Sequence, residues 1–117
     1  MTSTLPFTSS LIDQVRLNLI HYNLWTNVEK YESENILSGL PKEKLTNTDV
    51  DITKEWIIPR TLTDSKLSVL QINSFFKTIT KLNNEVRPKR IILGIVNDDG
   101  TVVYYFVHDG ITKPRQN

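Results

Sequence analysis

No cysteine occurs in this sequence, which excludes disulfide staples and thiolate metal sites and fits an intracellular chain. Charge of one sign is not in excess either. The 14 Lys and Arg stand against 13 Asp and Glu, a formal net charge of +1, so the global basic field that announces a nucleic-acid binder is missing. Any RNA contact has to be local or shared. No apolar run approaches the roughly 20 residues of a membrane span, and residues 1–9 lack the basic start and continuous apolar core of a signal peptide. The chain is therefore expected to be soluble and to insert into no membrane.

Chemistry-bearing residues are equally sparse. The 4 glycines form no phosphate cradle, no serine has the spacing of a nucleophile elbow, and the 2 histidines are not paired at helical spacing. His21 falls late in an expected helix, opposite its main apolar stripe, and reads as a surface residue. His108 precedes Asp109, but neighbours on a strand point to opposite faces, so Asp109 would not orient His108 without a bend. Asp49 with Asp51, and Asp98 with Asp99, lack the further carboxylates and glycine placement of a calcium loop and read as turn formers. No catalytic residue, cofactor or metal is expected of the chain by itself.

What is present is hydrophobic patterning. At 117 residues the chain is one domain, expected over residues 10–113, with a flexible leader at 1–9 and a flexible tail at 114–117. Ser10 followed by Asp13 forms a capping box for a helix over residues 11–24. Leu11, Ile12, Val15, Leu19 and Tyr22 make one stripe of that helix, and Leu17, Ile20 and Leu24 a second. Either the fold wraps around both stripes, the simpler reading, or the second meets a partner. An edge strand is expected over 25–33 and a short strand over 36–40, stopped by Gly39 and Pro41. A polar loop follows over 42–53. Trp56, Ile57 and Ile58 form a strand that Pro59 ends, with Trp56 a core anchor rather than a base-stacking platform.

Thr63, Asp64 and Ser65 offer caps for a long helix reaching Leu82, whose stripe is Val69, Ile72, Phe75, Phe76, Ile79 and Leu82. The last element is the best marked. Runs over 91–96 and 101–107 flank Asn97-Asp98-Asp99-Gly100 and read as a β-hairpin. Val103, Tyr105 and Val107 alternate with Val102, Tyr104 and Phe106, so neither side of the final strand is polar. Both sides are expected to be covered, the second by another chain. The order α-β-β-β-α-β-β gives an α+β domain with a mixed or antiparallel sheet. Arg87, Lys89 and Arg90 before the hairpin, with Lys113 and Arg115 after it, could touch phosphates, although charges that gate a hydrophobic strand are the commoner reason for such residues.

The stretch from Ile92 through Gly94, Asn97-Asp98-Asp99-Gly100 and Tyr104-Tyr105, continuing to Asp109-Gly110 and Lys113-Pro114, closely resembles the C-terminal segment of one protein family. That family is the small, non-catalytic subunit of the eukaryotic tRNA-splicing endonuclease, in its fungal form. Asn18-Leu19, Tyr22-Asn23-Leu24-Trp25-Thr26, Val28-Glu29 and Gly39-Leu40-Pro41 are similar to it as well.

The resemblance implies a domain like the endonuclease catalytic domain, retained for assembly. Catalytic relatives use a Tyr, His and Lys set without metal; Tyr104 and Tyr105 are present here, but no His lies between Trp25 and Ile91. It also implies pairing, through terminal strands, with the catalytic subunit that cuts the 3′ splice site, two such pairs forming a heterotetramer that acts on precursor tRNA. Val102, Tyr104, Phe106 and His108 are the expected partner surface, and Asp98 and Asp99 the acidic tip offered to a second partner. An RNA-contacting module is the alternative reading, and Arg87, Lys89, Arg90 and Lys113 are its candidate contacts. Self-association of the isolated chain through the same surface is expected. So is work in the nucleus or on the cytosolic face of the mitochondrial outer membrane.

Overall fold

The computed structural model describes residues 10–109, so the leader at 1–9, the tail at 114–117, Lys113 and Arg115 lie outside the described residues. Helix α1 (Leu11–His21) is followed by β1 (Thr26–Tyr31), β2 (Ile36–Leu40), β3 (Glu55–Thr61), α2 (Val69–Leu82), β4 (Arg90–Val96) and β5 (Val102–His108). The strands form one sheet in the order β1-β2-β3-β4-β5. All neighbours are antiparallel except β3 and β4, which run parallel because α2 carries the chain back between them. This is the expected α+β class with a mixed sheet.

The helices lie on opposite faces of the sheet. Under α1, Ile12, Val15 and Leu19 pack with Trp25, Leu37, Ile57, Ile92 and Val96. Under α2, Phe76 and Ile79 pack with Ile36, Trp56, Ile58, Ile91, Leu93 and Ile95. Strand β4 is thus buried on both faces by the chain's own helices, and its second face requires no partner. Strand β5 is only half covered: Val103, Tyr105 and Phe106 are exposed at 38%, 55% and 40%.

Gly94 shows how tight the α1 layer is. A Cβ there would lie 3.0 Å from Val15 Cγ1, 3.2 Å from Ile57 Cγ2 and 3.3 Å from Tyr104 Cε1, all on packed side chains. Gly94→Ala is expected to destabilise the chain by about 1–3 kcal/mol through overpacking. Urea unfolding with an unchanged m-value checks this.

Several boundaries differ from the sequence expectation, each for a local reason. Helix α1 starts as expected, with Ser10 Oγ accepting the Asp13 N–H at 3.2 Å, but it stops at His21 rather than Leu24. Leu24 takes a φ of +58°, the Trp25 N–H returns to the Leu19 carbonyl at 3.0 Å, and the indole is delivered to the core. The fold wraps around the second stripe only in part: Ile20 is half-buried, while Leu17 and Leu24 are exposed, as is Tyr22 of the first. Strand β1 is shorter than 25–33 because a turn over 32–35 takes over, with Asn35 at φ +59°. Helix α2 begins at Val69, since Thr61 to Ser65 closes a separate turn and Ser68 forms a reciprocal capping box with Gln71. Its first residue, Val69, is exposed instead of joining the packed stripe.

Pro59 does not end β3; it pairs in register with Gly94, and the strand continues to Thr61. The last β2 pairing is Leu37 with Ile57. Beyond Ile57 that side of β3 has no strand beside it among the described residues, which is the setting where a missing donor is tolerated.

Candidate interface on the last strand

The two outer strands of the sheet differ in how they are guarded. Strand β1 carries Glu29 and Lys30, a register shift between Thr26 and Glu29, and Asn27 at φ +52°. Lys30 is further tied to Asp13 at 2.9 Å and to Glu32 at 3.3 Å. A bulge with charged side chains is how natural sheets blunt an edge. Strand β5 has none of this. Its seven residues, Val-Val-Tyr-Tyr-Phe-Val-His, pair with β4 in unbroken register from Val96–Val102 to Arg90–His108. Its outer edge has no strand beside it among the described residues.

The four residues expected at the partner surface share the α1 side of β5, but α1 is too short to cover them all. Val102 and Tyr104 pack against the core beneath α1. The Tyr104 hydroxyl donates to Asn18 Oδ1 at 2.7 Å, and burial pushes its pKa well above the usual phenol value. Phe106 and His108 lie past the helix and are exposed, their rings 6.1 Å apart. On the α2 side, Val107 packs inward while Val103 and Tyr105, which the sequence reading did not single out as surface residues, are open. A pocket of about 190 Å³ opens beside Phe106, lined by Leu19, Trp25, Leu45, Ile92 and Tyr104 among others.

At the hairpin tip the two aspartates have different roles. Asp99 accepts the Thr101 N–H at 3.0 Å and its hydroxyl at 2.7 Å; the backbone bond, then the hydroxyl, holds its carboxyl below the usual range. Gly100 takes the left-handed conformation, φ +91°. Asp98 is exposed and makes no such bond, so it alone is a free charge at the tip.

The basic cluster at the other end is largely spent inside the chain. Arg87 donates through Nε and Nη2 to both oxygens of Asp109, at 2.7 and 3.0 Å, and lies over the Phe76 ring. Asp109 is thereby occupied by an arginine, which keeps the Arg87 pKa above its ordinary value. Arg90 forks onto two carboxylates. It reaches Glu55 at 3.2 and 2.7 Å and Asp49 at 3.1 and 3.0 Å, with its guanidinium 4.7 Å from the Phe106 ring centre. Glu55, to which sequence reasoning assigned no role, is buried, and its charged side chain facing the α1 layer was the one signal available. Asp49 forms its turn, accepting the Leu45 and Thr46 N–H groups, and also anchors that turn to the sheet. Hydrogen bonding from Arg90 draws its pKa down to about 2. Lys89 remains exposed, Asp51 is exposed in the loop, and His21 is exposed at the end of α1.

The geometry is that of an α+β domain in which, among the described residues, one outer strand is guarded and the other is open, apolar and bordered by a pocket. The chain belongs to the Sen15 protein family, whose model matches residues 14–117. It is 38% identical over 105 residues to the tRNA-splicing endonuclease subunit SEN15 of Eremothecium gossypii, spanning 88% of this chain and 87% of that protein. It is similar to the probable tRNA-splicing endonuclease subunit sen15 of Schizosaccharomyces pombe, 32% identical over 91 residues, 70% of this chain and 60% of that one. The probable subunit tsp-1 of Neurospora crassa is 37% identical over 81 residues, covering 54% of this chain and 36% of the relative. No helix among the described residues is long and apolar enough to cross a membrane.

Proposed function

We propose that this chain is a non-catalytic subunit of the tRNA-splicing endonuclease, pairing through β5 with the catalytic subunit that cuts the 3′ splice site. The observation that carries the reading is the outer edge of β5, open among the described residues: seven residues from Val102 to His108 with no Asp, Glu, Lys or Arg, opposite a guarded β1. An added strand would hydrogen-bond that edge, and the pocket beside Phe106 would take an apolar side chain. The single domain over residues 10–113 contributes position rather than chemistry, and two such pairs make the heterotetramer that removes introns from precursor tRNA. The free carboxylate of Asp98 is offered to a second partner. Contact with tRNA runs through the assembled complex, since Arg87 and Arg90 hold internal carboxylates. The working compartment, nucleus or mitochondrial outer surface, is that of the complex, and the isolated chain self-associates through the same edge.

Phe106→Glu combined with Tyr105→Glu tests the reading, because both side chains are exposed and their loss leaves the core intact. Affinity for the co-expressed catalytic subunit is expected to fall at least about a hundredfold, about 2.7 kcal/mol. A complex of undiminished affinity would overturn the assignment. Tyr104 is unsuited to this test, since a charge there would disrupt the α1 layer.

A further inference from the structure

The cluster around Arg90 joins three segments distant in sequence, and its position relative to β5 gives it a second consequence. Residues 41–54 form no helix or strand, yet they supply Leu45 to the pocket wall beside Phe106. Leu45 is held at its backbone by the Asp49 carboxylate, whose two oxygens accept from Arg90 Nη1 and Nη2. Arg90 is fixed in turn by buried Glu55, and its guanidinium lies over the ring of Phe106. A planar fork is suited to gripping two carboxylates while stacking on an aromatic face, which a lysine cannot do. The chain of contacts therefore runs from the loop backbone, through one guanidinium, to the aromatic ring at the open edge.

We propose that Asp49 and Glu55, acting through Arg90, are positioning residues for the partner-facing side of β5: they hold the Leu45 wall and the Phe106 ring in the geometry a partner meets. This inference rests on the assignment of β5 as the partner edge. It makes residues 41–54, otherwise a polar connection, part of the binding apparatus, so that releasing the loop weakens association even though the loop presents only one apolar side chain to the pocket.

The test uses the full chain, alone and with the catalytic subunit. In the isolated folded protein, Asp49→Ala is expected to shift the Leu45 methyl and Phe106 ring resonances together. Affinity for the partner should fall about tenfold, a coupling of the size found between contacting residues. Asp49→Ala and Leu45→Ala should be non-additive, and Asp49→Asn, which keeps the turn acceptor, should recover part of the loss. Arg90→Lys retains the charge without the fork and should repeat the Asp49→Ala result; it replaces Asp49→Ala if that variant fails to fold. If Asp49→Ala and Arg90→Lys bind as wild type while Phe106→Glu weakens the complex, the positioning role is overturned and the β5 assignment stands. If Phe106→Glu with Tyr105→Glu also binds as wild type, both fall.

Discussion

Arg90→Ala is expected to lower the free energy of unfolding by about 3–5 kcal/mol, because it leaves two carboxylates in the protein without the cation that compensates them. Glu55 is the severe part of this loss. It is 6% exposed and has no second cation among its described partners. An arginine-to-alanine change also removes the packing of the guanidinium on Phe106. Against the roughly 5–15 kcal/mol that a domain has in total, such a loss is enough to unfold part of the population. Urea denaturation measures it, and a loss below about 1 kcal/mol would mean the cluster behaves as an exposed ion pair.

The same cluster sets an acid limit. The Asp49 carboxyl is drawn from 3.8 to about 2, first by the hydrogen bond from Arg90. A depressed carboxylate stabilises the fold fully above its unfolded pKa and loses that contribution as pH falls through the folded value. The window lies between about pH 3.8 and 2. In Arg90→Ala the slope of stability against pH should flatten there.

Trp56→Ala is expected to cost about 3–5 kcal/mol, the range for truncating a buried aromatic. Trp56 is 1% exposed, its ring 5.7 Å from that of Tyr31, with Lys54 Nζ over the indole 5.4 Å from a ring centre. It lies among Ile36, Ile58, Phe76 and Ile79 on the α2 side, each at most 1% exposed and held by its own packing. The cavity would therefore not collapse fully. Trp56→Phe should lose much less, and a small loss for the alanine variant would show that α2 can settle onto the sheet. The burial also rules out Trp56 as a stacking platform for a base.

The elements themselves were legible because their signals are local. Alternating β-branched and aromatic residues around Asn97 to Gly100 specify the hairpin, Ser10 and Asp13 the start of α1, and the apolar stripe ending at Leu82 the second helix. The errors also have local causes. Ser68 and Gln71 satisfy two backbone groups reciprocally, so they outcompete Thr63 to Ser65 as the start of α2. Pro59 reads as a strand stop unless it is known that β2 has already ended beside it. The site was legible in outline only. Alternation puts Val102, Tyr104, Phe106 and His108 on one side of a strand, but not which of them a helix of eleven residues will cover.

By itself the sequence determined the order of elements, the α+β class and the apolar character of the final strand, because these follow from spacing, capping and turn chemistry within a few residues. Only the tertiary structure decided that, among the described residues, β5 is an open edge and β1 a guarded one. It alone paired Arg90 with Asp49 and Glu55, 41 and 35 residues away. Strand order and long-range ion pairing depend on how distant segments close over one core, and no local pattern encodes that closure.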